Sequence, residues 1–513
     1  FLKSLQAGQK VADLIGRFGV GFYSVFMVAE EVRVTSRSFR PDAAAWTWIC
    51  RGDDSFQLEP AEKTSRGTDL VIKLKEDAAD FAEAWRLEQA IHKHSDFVSF
   101  PIHLGEKVVN RQTPLWRQSR QEITDEAANE FYKNLTLDFE APLLRVAMNT
   151  DSPVQIYALL FAPAKAEPGM FSLRKEPGLK LYSRKVLIQE YCKDLLPNYL
   201  RLVQGVVESE DLPLNVSRET VQSNKIMERI KTALTHKVIE SFKELAVKEP
   251  EKYRAFWKVY GPYLKEGLAT DASARDKLKP LLRFASSRTA ADELVSLADY
   301  AGRLKPEQRE IYYLLADSVE TAARSPHLDY FRKEEIEVLF LTDPLDSFML
   351  SGLQAYEGFP LKNAADAEVT LPEKSTPDGQ AAEPAPAGLE ALIARFKTQL
   401  GERITDVRAS DRLVDSPLRL VAPAESRDHE MDRVRRLIEK DFSVPKRVVE
   451  LNPRHTLIQG LAGHLAAGDA EALVTDAIEQ LYENGLLLEG LHPNPAQMVA
   501  RIQSLLEAAV KPR

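Results

Sequence analysis

The sequence predicts a multidomain α+β or α/β protein, and three observations predict it. Its 513 residues suit about three domains at the usual size of roughly 150 residues each. Short strand patterns are interleaved with long amphipathic helical ones, which favours layers of helices on sheets. Residues 371–388, LPEKSTPDGQAAEPAPAG, are dominated by Pro, Gly, Ala and charge, have almost nothing to bury and read as a linker.

The chain opens at Phe1, not Met, with FLKSLQAG already in a helix-like pattern, so the sequence reads as a fragment or a partial reading frame. A glycine-rich turn follows, then a helix expected over Phe22–Ala29. Val32–Ser38 alternates apolar and polar and reads as a strand, as do Leu70, Ile72 and Leu74 in DLVIKLKED. Residues Phe81–Phe97 are helical and charged, and they lead to Pro101. Strands are expected at Gln155–Ala162, Leu179–Ile188 and Glu337–Thr342, with helices at Lys225–Val247 and Pro250–Glu266 between them. Beyond the linker, Met431, Val434, Leu437 and Ile438 share one helical face, with Arg433, Arg435 and Arg436 off it. Val474, Ile478 and Leu481 form a second stripe, and Met498, Ile502, Leu505, Leu506 and Ala509 a third, with Asn494 as cap and Pro495 in the first turn. Two such helices at a chain end suit an antiparallel hairpin, which either packs on its own domain or pairs with its copy in a four-helix dimer interface.

Composition excludes several classes. Hydrophobic residues make up 44% and charged residues 28%, which rules out a wholly disordered chain. With 68 basic and 77 acidic residues the net charge is −9, which argues against nucleic acid as the main ligand. The two cysteines, Cys50 and Cys192, make no disulfide framework and fit a reducing compartment. No apolar run approaches the roughly 20 residues that span a bilayer, and the nine histidines do not cluster as metal ligands.

Three stretches can carry chemistry. In Gly16-Arg17-Phe18-Gly19-Val20-Gly21-Phe22, three glycines free the backbone for close approach, and successive N–H groups entering a helix suit a phosphate. The spacing is neither the Walker A nor the dinucleotide pattern, and the alternative is a tight turn before a packed helix. Arg66-Gly67-Thr68 precedes a strand; a buried Thr68 hydroxyl there can bond a polar ring edge, or the pair simply opens the strand. In GVVESEDLPLNVSRETVQ, Arg218 falls at a helix start, where the helix dipole disfavours a cation. Its anionic partner is either Glu210, Asp211 or Glu219, or a nucleotide γ-phosphate reached across a domain boundary. Trp116, in TPLW, reads as exposed, either a contact site or one of the single aromatics common on surfaces.

Together with SRGTDLVIKLKED, HSDFVSFPIHL, LKLYSRKVLI, IYYLLADSVETAARSPHLDYF, EVLFLTDPLDSFML and RVVELNPRHTLIQGL, the stretches IGRFGVGFYSVFMVAEEVRVTSR and GVVESEDLPLNVSRETVQ occur in one order. In this the chain resembles the heat-shock protein 90 chaperone family, in its bacterial form, over nearly its whole length. The resemblance implies part of an ATPase α/β sandwich of the gyrase and histidine-kinase type at residues 1–104. It implies an α/β middle domain at 105–370, and, after the linker at 371–388, a mostly helical dimerisation domain at 389–513. It implies that Gly16 to Phe22 (Gly16, Arg17, Phe18, Gly19, Val20, Gly21 and Phe22) close over the triphosphate of ATP and that Thr68 helps hold the adenine. Arg218 would reach the γ-phosphate after domain closure, supported by Gln222. Arg17 stands where glutamine is common in the family, with little effect expected because the backbone does the binding.

The family's general-base glutamate, its Mg2+-binding asparagine and its adenine-reading aspartate have no counterpart here and would lie upstream of Phe1. The chain also ends at Lys511-Pro512-Arg513 without an acidic tail, which fits a bacterial origin and argues against tail-docked co-chaperones. The expectation is an ATP-dependent, homodimeric, cytoplasmic chaperone that binds non-native client proteins through surfaces such as those around Met431 and Trp116. Other chaperones are expected as further partners, and neither nucleic acid nor membrane is. The alternative is a nucleotide-independent dimeric holdase or scaffold. A DNA-repair ATPase of the same superfamily is disfavoured by the acidic charge.

Overall fold

The computed structural model describes residues 21–119, 121–166, 176–212, 225–290, 293–366, 388–423 and 443–510. The chain divides into two compact units, residues 1–238 and 239–513, and the architecture is a mixed α+β one with several separate sheets.

The first unit contains two larger sheets. Strands β1 (Ala29–Arg37), β2 (Ala45–Cys50), β3 (Gln57–Ala61) and β4 (Gly67–Leu74) form an antiparallel sheet in the order β3-β2-β1-β4. The expected charged helix is the shorter Ala84–His94, preceded by a 3-10 turn at Glu76–Ala82. A two-stranded ribbon, β5 (His103–Leu104) with β6 (Lys107–Val108), follows. The second sheet joins β7 (Leu144–Thr150), β8 (Ile156–Ala162), β9 (Leu179–Ser183), β10 (Val186–Cys192) and β11 (Gln204–Glu208) in the order β10-β9-β11-β8-β7. Its face packs on the Asp125–Thr136 helix, which Thr124 caps by accepting from the Ala127 N–H. Phe97, Trp116, Tyr132, Phe161 and Tyr182 are the core there, with Trp116 edge-on to Phe97 at 4.5 Å between ring centroids. At Gly205, in β11, φ is +144° and an added Cβ would lie 2.3 Å from the Leu159 carbonyl oxygen. Only glycine lets β8 and β11 come this close.

In the second unit the Pro250–Thr270 helix buries Tyr253, Phe256 and Tyr260, with Phe256 and Tyr260 stacked at 4.5 Å. Strands β12 (Ala285–Ser286), β13 (Ile311–Leu315), β14 (Val338–Leu341), β15 (Ala355–Tyr356) and β16 (Phe359–Asn363) are ordered β12-β14-β13-β16-β15. Strand β13 runs parallel to both β14 and β16. Central parallel strands are covered on both faces, which is why IYYLL and VLFL are continuous apolar runs. A third sheet, β17 (Ile404–Ala409), β18 (Leu418–Val421) and β19 (Arg447–Leu451), has the order β17-β19-β18. It shares its core with the Leu389–Leu400, Thr456–Ala467 and Glu471–Leu488 helices.

Several expectations change. The strand expected over Leu179–Ile188 is a hairpin, β9 and β10, that turns at Arg184 and Lys185 with φ of +49° and +65°. The region after residue 388 is largely helical, as expected, but also carries the three-stranded sheet. Trp116 is not an exposed contact residue: it is 2% exposed, because its indole fills the core between the 125–136 helix and the second sheet. The helical face around Met431 lies outside the described residues, as does most of the linker. Cys50 and Cys192 are both free and buried.

Candidate functional site

The first sheet sets the geometry. Registers β1–β4 and β1–β2 pair Ser36 with Thr68 and Trp46, Val34 with Leu70 and Trp48, and Val32 with Ile72 and Cys50. Directly paired side chains share a face, so Thr68, Leu70 and Ile72 line one side together with Trp46, Trp48 and Val34. Of these, Leu70, Ile72 and Trp46 are exposed large apolar side chains. Val32 and Cys50, on the same face, are buried, so among the described residues the face is part covered and part exposed apolar surface.

The glycine segment arrives on that same face. Gly16, Arg17, Phe18, Gly19 and Val20 lie outside the described residues; Gly21 and Phe22 begin a 3-10 helix, Gly21–Met27, instead of the expected α-helix. The Ser24 hydroxyl donates to the Gly21 carbonyl at 2.6 Å. The Phe22 ring meets Trp48 edge-on at 5.8 Å, which sets Phe22 on the Thr68 side of the sheet. Among the described residues nothing lies within 4 Å of where a Cβ on Gly21 would be.

Thr68 is not buried, as the sequence suggested, but exposed. Its hydroxyl shares a 2.9 Å hydrogen bond with the Ser36 hydroxyl. Its position at the start of β4 fits that exposure. The pair keeps lone pairs and a rotatable proton for a polar ring edge.

Arg218 and Gln222 lie outside the described residues, but the base of their loop does not. There the sequence hid a buried ionic network. Glu208, the last residue of β11, is 0% exposed. It accepts from Trp116 Nε1 at 2.7 Å, from Arg117 Nε at 2.9 Å and Nη2 at 2.5 Å, and from the Lys185 N–H at 2.5 Å. Arg117 also reaches Glu210 at 2.7 Å, and Asp211 accepts from the Gln155 N–H at 2.8 Å. Burial works against the Arg117 charge, but the Glu208 and Glu210 carboxylates outweigh it and hold its pKa above the usual arginine range. The one available signal was a lone carboxylate closing the apolar run GVVE.

A nucleotide fits what is present: a partly exposed apolar face, a hydroxyl pair at its end and a glycine main chain. For Mg2+ the fit is not made by these residues, since among the described residues no group of three His, Cys, Asp or Glu side chains is placed to hold a metal ion. Among the described residues, too, no helix is long and apolar enough to cross a membrane.

The comparisons give the class. The family model described as Hsp90 protein matches residues 105–512. The chain is 42% identical to the chaperone protein HtpG of Chlorobium phaeovibrioides, over 100% of this chain and 83% of that protein. It is 42% identical to HtpG of Chlorobaculum tepidum (100% and 82%) and 40% identical to HtpG of Myxococcus xanthus (99% and 80%). The chain belongs to the Hsp90 family and is a molecular chaperone of that family.

Proposed function

We propose that the protein is an ATP-hydrolysing, homodimeric chaperone whose nucleotide site lies on the Thr68 face of the first sheet. The observation that supports this best is that the Phe22 ring and Thr68, far apart in sequence, come to one face of one sheet. In this reading the Gly16–Phe22 main chain cradles the phosphates, with Gly16, Gly19 and Gly21 admitting close approach. Thr68, backed by Ser36, bonds the adenine edge. Arg218, with Gln222 beside it, comes from the middle domain and neutralises charge at the γ-phosphate. The Glu208–Arg117 pair anchors the start of that loop. Bound ATP would supply the phosphoryl group, and Mg2+ would offset the phosphate charge.

In this reading the domains are 1–104, 105–370 and 389–513, with a linker at 371–388, so that the arginine belongs to a different domain from the pocket although both fall in the first compact unit. Turnover then depends on docking, which couples hydrolysis to opening and closing of a clamp. Dimerisation falls to the last two helices. Arg501 pairs with Glu483 at 2.5 Å and the Ser504 hydroxyl donates to Asp476 at 3.0 Å, tying Met498–Val510 antiparallel to Glu471–Leu488. Met498 turns inward, while Val499, Ile502, Leu506 and Val510, at helical spacing, stay exposed. A second copy covers such a stripe. Non-native clients are the substrates, in the cytoplasm, and other chaperones are further partners.

Aggregation of a chemically denatured enzyme, followed by light scattering with this chain added, tests the reading. Suppression that ATP and Mg2+ modulate is expected. Suppression indifferent to nucleotide would favour a dimeric holdase, and no suppression would overturn the chaperone activity itself.

A further inference from the structure

Residues 285–364 and 389–491 each have their own apolar core, and no residue is common to the two. Polar contacts are among those that join these lobes. The Asp329 carboxylate, 3% exposed, projects from the first lobe into the 413–416 turn of the second. Its Oδ2 accepts from the N–H groups of Val414, Asp415 and Ser416 at 3.2, 3.0 and 2.7 Å, and its Oδ1 from the Ser416 hydroxyl at 3.1 Å. Arg332, from Asp329's own lobe, lies 3.8 Å away. Nearby, His327 meets Glu489 at 3.2 Å, and the main chain at Gly490 passes so close to Asp317 that a Cβ would sit 2.3 Å from its Oδ2.

The receiving turn is built without Asp329. Asn452, wholly buried, donates its amide to the carbonyls of Val414 and Ser416, both at 3.1 Å, and its own N–H to the Pro417 carbonyl at 2.9 Å. The second lobe therefore presents three converging N–H groups as a preformed socket, an anion-binding concavity of main-chain donors. The first lobe supplies the charge that fills it. A charge-assisted polar joint between separate cores is firm when closed, yet water replaces its bonds on opening. An apolar seam allows no such exchange.

We infer that Asp329 and the 414–416 turn form a plug-and-socket latch that fixes the C-terminal lobe against the preceding α/β lobe and lets it part as an intact body. This goes beyond the nucleotide reading and needs no hydrolysis. Hydrogen exchange and chemical modification of His327, which is 3% exposed, test it on the full chain without nucleotide. For Asp329→Asn, exchange at Val414, Asp415 and Ser416 and modification of His327 should both accelerate by roughly tenfold or more, the loss expected from one charge-assisted bond. Amides of β13, β14 and β19 should keep their protection. Faster exchange with His327 still protected would make Asp329 a mere staple of the turn and overturn the latch, as would no change at either place, or equal loosening of the three strands. Should Asp329→Asn fail to fold, Ser416→Ala decides, since it keeps the three N–H bonds. Smaller parallel increases at both places uphold the latch; an unchanged His327 overturns it.

Discussion

At the scale of single residues, the most consequential side chains are buried charges with satisfied partners. Glu208 collects four donors from Trp116, Arg117 and Lys185. Removing one partner of such a pair leaves an uncompensated charge in the core. Arg117→Met should lower unfolding stability by about 3–5 kcal/mol, read by urea titration, and Glu208→Gln by less because the amide keeps an acceptor; equal stability of wild type and Arg117→Met would contradict the network. Glu450 is a second case. Burial pushes its carboxyl up, but Arg419 at 2.7 Å and Arg408 at 2.7 Å prevail and hold its pKa below the ordinary glutamate value. A carboxylate depressed on folding contributes stability that is complete above its unfolded pKa, about 4.3. That contribution disappears as pH falls through the lower folded value. Glu450→Gln should therefore flatten the loss of stability on acidification below about pH 4. Urea midpoints measured from pH 3 to 7 would contradict the pairing if both proteins fell in parallel. Neither network was legible beforehand, because spacing in sequence says nothing of partners 31 or 91 residues away. Trp116 was misjudged for a related reason: TPLW sits among polar residues, and only the tertiary fold supplies the core around it.

At the scale of elements, periodicity carried most of the information. The apolar run of β14 and the alternation in β1 were readable as strands, whereas the apolar run of β13 was not read as one. The C-terminal sheet was not. Strand β17 is buried only at every third residue, and β18 and β19 bury Arg419, Arg447 and Glu450 inside otherwise apolar runs. Paired charges erase the pattern that hydrophobicity alone would leave. The β9–β10 turn was missed because its positive-φ residues are Arg184 and Lys185, not the usual Gly or Asn. Gly205 is the sharpest element-level test. Gly205→Ala puts a methyl group against the Leu159 carbonyl at positive φ, and should destabilise by about 1–3 kcal/mol in denaturant melts; an unchanged midpoint would mean that β8 and β11 are spaced more widely than described.

At the scale of the whole molecule, the sequence conveyed the family and the order of its segments, and the structure adds that the Phe22 ring packs against Trp48 on the sheet face that also carries Thr68. The arginine loop itself lies outside the described residues, so its proposed role rests on the resemblance of its motif. The exposed stripe on the last helix makes a separate prediction. Leu506→Asp should halve the mass measured by light scattering at concentrations where the wild type is dimeric, without changing helix content. An unaltered mass would move the dimer contact elsewhere.

The account stands or falls on Arg218 acting at a nucleotide bound in another domain. Nucleotide affinity and single-turnover hydrolysis, measured side by side for the intact protein and its Arg218→Ala variant, address this directly. Affinity should stay nearly unchanged while hydrolysis slows by roughly tens- to thousands-fold. Equal hydrolysis rates would contradict the proposed mechanism.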